Sequence, residues 1–509
     1  MGGVRFPRVS RRARPAAGAA LLAAALLLPN LGEQYLWQDE AQTALLARTI
    51  LRHGVPLGSD GRNYFSQELG KEYGPGGLWR WHTWLSFYAV AASFAALGEG
   101  TAAARLPSAL FGVATVVLAW WVGHLWWRDE RAAATGALLL ALSVPFLILS
   151  RQCRYHSMAA CFCLLGLVAY ARIGSWRPAP WLLFGAATLL FHTHFLYAAT
   201  LLGALLLHAF WMERARLAPT LRASAGVALV NLPWIVWLSA ARPGGEAQWA
   251  GLLDPLRALR VGRFALEYAS LALEHLFPAW LLLAPLGLAA ERRLRRRPQG
   301  EPDRETRSAI ALVGILCAVH VLALAALSPL VFYRYLAPLA PPLAVLAGLL
   351  VASLWRRNAP LAAAAIALFA LAGGLPGHLR ELTGEFAGPV EGLVAHLREH
   401  GRDTDTVAIT YDDLPLKFYT RMRVVGGLTG EDLAPARDAE WIVPRRLIAT
   451  REERRVRRQL LAFARAGDYE ERILDAPDTR TENREHPALH RFEPAPADTP
   501  RLRVFRRRR

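Results

Sequence analysis

Long apolar runs recur from residue 16 to residue 376, and no other feature constrains the fold as strongly. A helix needs about 20 apolar residues to cross a bilayer. Inside hydrocarbon, only helices and closed barrels satisfy their own backbone donors and acceptors. The runs predict an α-helical polytopic membrane protein. The chain has 509 residues, 54% of them hydrophobic and 20% charged. That balance excludes a disordered chain, a coiled coil and a collagen-like fibre.

About eleven spans are expected, at 16–31, 102–127, 132–149, 156–171, 179–191, 195–211, 222–240, 276–290, 308–327, 333–354 and 360–376. The net charge of +18 comes mostly from arginine. Much of it sits in short loops, at Arg128/Arg131, Arg172/Arg177, Arg214/Arg216/Arg222, Arg356/Arg357 and the cluster Arg292, Arg293, Arg295, Arg296, Arg297. Basic loops on one side are what the positive-inside rule requires, and they argue against nucleic acid as a partner. Arg5, Arg8, Arg11, Arg12 and Arg14 then place the N-terminus in the cytoplasm. Cys153, Cys161, Cys163 and Cys317 form no metal or disulfide framework by spacing.

Two polar regions interrupt this pattern. Residues 32–100 form a first outer loop, long enough to be functional rather than connecting. Within it, residues 40–53 carry apolar positions at helical spacing and suggest an amphipathic helix at the membrane surface. Residues 78–97 begin with Trp79, Arg80, Trp81, His82 and Trp84, an interfacial composition. An odd number of spans leaves residues 377–509 outside, where TVAITYDD, AEWIVPRR and EERRVRRQLLAFARAG predict a small α/β domain. The expected organisation is a membrane domain over 1–376 and a soluble domain over 377–509.

Ionisable residues gather in the outer segments, and together they suggest one cavity there. Asp39 and Glu40 follow the first span; they read either as a helix N-terminus or as carboxylates able to take an acceptor's proton. Glu68, Lys71, Glu72 and Tyr73 lie in the same loop. Arg151, Arg154, Tyr155 and His156 run against the positive-inside trend, which points to phosphate binding or to interfacial snorkelling. His192 and His194 diverge on a helix but could share a metal in an extended turn. Arg334 lies between Tyr333 and Tyr335. Arg242, Arg257, Arg260, Arg263, Glu267, Glu274 and His275 occupy another outer segment, and Asp412, Asp413, Lys417 and Tyr419 lie in the tail.

The segments WQDEAQTALLARTILRHGVP, RLPSALFG and SRQCRYHS resemble the bacterial GT-C glycosyltransferases of family 39 type, over about residues 15–350. That family includes the lipid A aminoarabinose transferase and, more distantly, the protein O-mannosyltransferases. The resemblance implies a polyprenyl-phosphate-linked sugar as donor and a periplasmic active site. It also implies juxtamembrane helices and inversion at the anomeric carbon. Asp39 matches the family's essential acid and Glu40 its neighbour. Glu72 resembles a glutamate that can help hold a metal, so a divalent ion is a candidate cofactor. Tyr73 and Gln42 stand where the aminoarabinose transferase has a lysine and an arginine. Phosphate binding is then expected of Lys71, Arg154 or Arg334, with Arg151, Tyr155 and Tyr335 as further candidates. Glu72, His192 and His194 are candidates for metal or acceptor. The tail shows no mannosyltransferase-type repeat domain.

The leading expectation is a glycosyltransferase of a bacterial inner membrane, with its C-terminal domain in the periplasm. A transporter or flippase of lipid-linked sugars is the alternative. It would place ionisable groups near the midplane in paired halves, whereas here they collect at one face. A third reading is a receptor that binds glycans without turning them over.

Overall fold

The computed structural model describes residues 14–239, 255–278, 304–328, 330–446, 451–479 and 498–508. Arg5, Arg8, Arg11, Arg12, Arg242, the Arg292–Arg297 cluster and most of the expected 276–290 span lie outside these residues. The chain divides into two compact units. The first comprises Met1–Pro29, Ser108–Arg151 and Tyr155–Pro376; the second comprises Asn30–Pro107, Gln152–Arg154 and Gly377–Arg509. Residues 30–107 therefore belong with the C-terminal part rather than with the membrane helices. The second unit starts again at Gly377, next to the expected boundary.

The first unit is helical. Among the described residues, three helices are long and apolar enough to cross a membrane: Thr101–Trp127, Arg304–Leu327 and the stretch Tyr333–Trp355. Three expected spans are broken. Glu130–Leu142 and Val144–Ser150 meet at 64°, Arg214–Val230 and Leu232–Ser239 at 55°, and Ala359–Ala372 and Leu375–Glu381 at 54°. Each second helix carries proline at its second position (Pro145, Pro233, Pro376). Proline donates no backbone N–H and crowds the preceding turn, which favours a bend where the neighbouring packing allows one. The expected spans 132–149, 222–240 and 360–376 each fall on one of these bent pairs. Helices His156–Arg172, Ala179–Thr193 and Phe195–Trp211 are apolar but shorter than about 20 residues.

Small residues let these helices approach. Gly136 and Gly348 face each other across helices Glu130–Leu142 and Ala340–Trp355, and a Cβ on Gly348 would strike the Gly136 backbone. Close packing through small residues is the usual means of association where lipid removes the hydrophobic drive. The outer faces carry Trp181, Leu229, Leu259 and Leu266, each more than two-thirds exposed. Such apolar exposure suits contact with lipid and not with water.

The second unit is built on a five-stranded sheet ordered β2-β1-β3-β5-β4. The strands are β1 (Thr406–Ile409), β2 (Arg423–Gly426), β3 (Trp441–Val443), β4 (Tyr469–Pro477) and β5 (Arg501–Arg507). β1 pairs in parallel with β2 and β3, while β5 is antiparallel to β3 and β4. Side chains alternate across the sheet. Val407, Ile409, Val424, Trp441 and Val443 pack on one face with helix Pro389–His400. Ala408, Val425 and Ile442 pack on the other with Val456, Leu460 and Ala464 of helix Arg451–Ala466.

Helix Gln38–His53 opens with Asp39 and Glu40 and closes with Arg52, His53 and a left-handed Gly54. These are favourable signs for both ends of its dipole and for a glycine cap. Its burial extends well beyond one apolar stripe: Gln38, Gln42 and Thr43 are buried along with Ala44 and Leu45. It packs against Leu85–Leu97 and Asp413–Tyr419. The expected one-sided surface helix is thus a core helix of its unit. Leu85–Leu97 has 13 residues, too few to span.

Candidate active site

Glu40 is fully buried, and its two oxygens are taken. Arg105 grips it through Nε to Oε1 at 2.9 Å and Nη2 to Oε2 at 2.7 Å. The Cys153 amide donates to Oε1 at 2.6 Å and the Trp37 amide to Oε2 at 3.3 Å. Arg105 also donates to the carbonyls of Leu31, Gln34 and Tyr35. This paired, hydrogen-bonded ion cluster holds the turn that enters the helix. Glu40, expected beside Asp39 in catalysis, thus has both oxygens held by these donors.

Asp39 differs. Its side chain is 14% exposed, and Arg154 Nη2 lies 3.8 Å from Oδ2. Arg154 also donates to the Asp39 carbonyl at 3.1 Å and to Thr43 Oγ1 at 3.2 Å. Asp39 and Arg154 thus form a carboxylate–guanidinium pair at the first turn of the helix, drawn from segments 115 residues apart. Around it, Glu68 titrates above the usual carboxylate range, first because of burial and then because of the Glu72 charge, with Asp39 a further contributor. His82 is nearby in electrostatic terms. Burial pushes its imidazole down to about 3, and the Arg154 charge pushes the same way. Its Nδ1 lies 2.8 Å from the Thr83 carbonyl.

Glu72 is buried and saturated. Oε1 accepts from the Gln67 and Glu68 amides at 2.6 and 3.0 Å and from Gln42 Nε2 at 3.4 Å; Oε2 accepts from Ser66 Oγ at 2.6 Å. It organises the 66–72 turn. Gln42 ties that turn to the helix by donating to the Phe65 carbonyl at 2.8 Å, and the Tyr73 hydroxyl donates to the same carbonyl at 2.6 Å. Lys71 is exposed on this turn. Among the described residues, no three His, Cys, Asp or Glu side chains form a group able to hold a metal. Glu72 in particular keeps its oxygens for the turn, so these residues do not fit the expected divalent ion.

In the helical unit stands Arg151, one of the residues expected to bind the donor phosphate. It is buried and donates to the carbonyls of Leu27 and Pro29 at 2.8 and 2.7 Å, which covers the end of the first helix. His192 packs edge-on against Trp234 with centroids 5.3 Å apart, whereas His194 stacks on Tyr197 at 4.2 Å. The two histidines therefore point to different neighbours and share no metal position. Tyr155 is buried 5.0 Å from His194 and 6.1 Å from Tyr197. Tyr197 lies 5.3 Å from His320, whose Nε2 is 2.9 Å from the Tyr335 carbonyl. Arg334 sits half-buried over Phe332, 4.5 Å from the ring centre, and 5.8 Å from that of Tyr335. These rings form one aromatic string from Tyr155 to His320.

Arg105 escaped the sequence analysis as a candidate, although one signal marked it. It stands inside the apolar segment ARLPSALFG, where an isolated arginine requires a partner.

Neither a protein-family model nor a curated protein matches the chain. Solved structures do. ArnT from Cupriavidus metallidurans, bound to undecaprenyl phosphate, aligns with a TM-score of 0.59 at 15% identity, covering 97% of each chain. Its apo state aligns equally well. The archaeal oligosaccharyltransferase AglB from Archaeoglobus fulgidus, in complex with an inhibitory peptide and a dolichol-phosphate, aligns with a TM-score of 0.51 at 13% identity, over 85% of this chain and 69% of that one. At these identities the likeness is one of fold alone.

Proposed function

We propose that the chain is a membrane glycosyltransferase that moves a sugar from a polyprenyl-phosphate-linked donor to an acceptor on the periplasmic side of a bacterial inner membrane. One observation carries this reading: within a GT-C fold, Asp39 is a partly exposed carboxylate paired with Arg154, while its neighbour Glu40 is locked away. Asp39 orients the acceptor hydroxyl and takes its proton. The hydroxyl oxygen attacks the anomeric carbon from the face opposite the phosphate. The bond to the phosphate oxygen breaks and the configuration inverts. Charge on the departing polyprenyl phosphate is met by cations, with Lys71, Arg154 and Arg334 as candidates. ArnT supports the donor class, because its structure binds undecaprenyl phosphate.

The test is transfer of radiolabelled sugar from a panel of undecaprenyl-phosphate sugars by the purified protein in nanodiscs, with a membrane extract as acceptor. Wild-type protein is expected to transfer from at least one donor. Asp39→Asn is expected to lower the rate by about 100-fold or more. Neutral replacements at Lys71, Arg154 and Arg334, made singly, identify the cation that raises the KM for donor. Full activity of Asp39→Asn, or no transfer from any donor by folded wild type, overturns the reading.

A further inference from the structure

Open α/β sheets ordinarily bind ligands beyond the carboxyl ends of their parallel strands, where the strand order reverses. Here that place is the end of β1, which has β2 on one side and β3 on the other. The chain itself fills it. Asp413 follows β1 and accepts from Gln38 Nε2 at 2.7 Å through Oδ1, and from Lys417 Nζ at 2.7 Å through Oδ2. Lys417 Nζ also donates to the Tyr64 carbonyl at 2.7 Å. The Leu414 amide lies 3.4 Å from Gln38 Oε1. Gln38, Asp413 and Lys417 are each at most 1% exposed. Gly427, at a φ of +63°, leaves room for the Asp413 carboxylate that any Cβ would occupy. Beside this, the Leu36 amide donates to the Tyr419 hydroxyl at 2.8 Å.

Asp39 therefore stands between two immobilised residues. Glu40 is held by Arg105, and Gln38 is held by a buried ion pair from a segment 375 residues further along the chain. Resting on the function proposed above, we infer that Asp413 and Lys417 are positioning residues for Asp39. They act through Gln38 to fix the direction of the reacting carboxylate. The C-terminal sheet has given its ligand edge to this task. A misplacement of about 1 Å at a reacting group costs on the order of 100-fold in rate, so such fixing has a measurable consequence.

The experiment uses the full chain in nanodiscs. Gln38→Ala cuts the link and leaves the Asp413–Lys417 pair intact. It is expected to lower kcat about 10- to 100-fold, with the KM for the donor used by wild type changed less than about threefold. Hydrogen exchange is expected to rise in amides 36–42 and at Leu414, which loses its Gln38 acceptor, and nowhere else. Asp413→Asn is expected to lower kcat as well, and Gln38→Glu combined with Asp413→Asn, which restores a carboxylate–amide pair, to recover much of it. A purely structural pair would move thermal stability without this split between kcat and KM and without rescue. Unchanged kcat and unchanged exchange in Gln38→Ala overturn the inference while Asp39→Asn remains inactive. Should Gln38→Ala fail to fold, lack of rescue in the double variant overturns it. Inactive wild type sinks the glycosyltransferase reading instead, and the exchange measurement still decides whether Gln38 is the anchor.

Discussion

Successive residues on a helix point about 100° apart, so Asp39 and Glu40 cannot share one environment. The sequence presents them as a pair; burial separates their surroundings. Which acid turns inward depends on Arg105, 65 residues away, and no local pattern encodes that partner. The same holds in SRQCRYHS, where Arg151 covers helix carbonyls and Arg154 reaches Asp39. Removing one member of a buried ion pair leaves a desolvated charge and costs about 3–5 kcal/mol. Arg105→Met is therefore expected to lower the unfolding midpoint far more than Asp39→Asn does, as followed by thermal unfolding in detergent. Equal midpoints would contradict the anchoring role. His82 gives a second residue-scale expectation. Its ordinary value is 6.5 and its folded value about 3. Between these, the unfolded chain takes up a proton that the folded chain refuses. The contribution is fully present above about pH 6.5 and is lost as pH falls toward about 3, at up to about 1.4 kcal/mol per pH unit. Stability measured against pH should flatten over that window in His82→Gln. An unchanged slope would assign the acid sensitivity to another group.

At the scale of elements, the apolar runs were legible because a bilayer demands long apolar helices whatever their neighbours. The breaks were less so. Pro145, Pro233 and Pro376 are visible in the sequence, but Pro107 lies within helix Thr101–Trp127 and does not end it. Whether a proline bends or interrupts a helix depends on which neighbours satisfy the freed carbonyls. Likewise, the strand candidates TVAITYDD and AEWIV were readable from their β-branched and apolar residues. β4 and β5 are rich in charge, and they pair across residues distant in sequence. Packing between helices yields a sharper prediction. Gly348 meets the Gly136 backbone with no room for a methyl group. Gly348→Ala is expected to destabilise by about 1–3 kcal/mol through overpacking, whereas Gly185→Ala, where a Cβ meets nothing within 4 Å, should stay within about 0.5 kcal/mol of wild type. Thermal unfolding of the two variants side by side checks this, and equal midpoints would refute the close approach.

At the scale of the whole molecule, the composition shift after residue 376 suggested a separable tail, yet the contacts divide the chain differently. Asn30 donates to the carbonyls of Glu381 and Gly384, the Phe386 amide to Glu33, and the Tyr35 amide to Glu391. Leu414 and Phe418 belong to the same apolar cluster as Leu45, Phe65 and Phe87. Composition could not reveal this, because the first loop and the tail are each polar enough to pass for independent pieces. Their shared core forms only when both are present. A fragment of residues 377–509 would expose Leu414 and Phe418 and leave Asp413 without Gln38. A chain ending at Pro376 would lose the partners of Asn30, Tyr35 and Gln38 in one cut. We therefore expect that fragment not to unfold cooperatively, and the shortened chain to be cleaved by protease within residues 30–100 where the full chain resists. Co-expression of the two pieces should restore resistance, since the core that joins them is non-covalent. A 377–509 fragment that melts cooperatively on its own would show that the tail is self-sufficient.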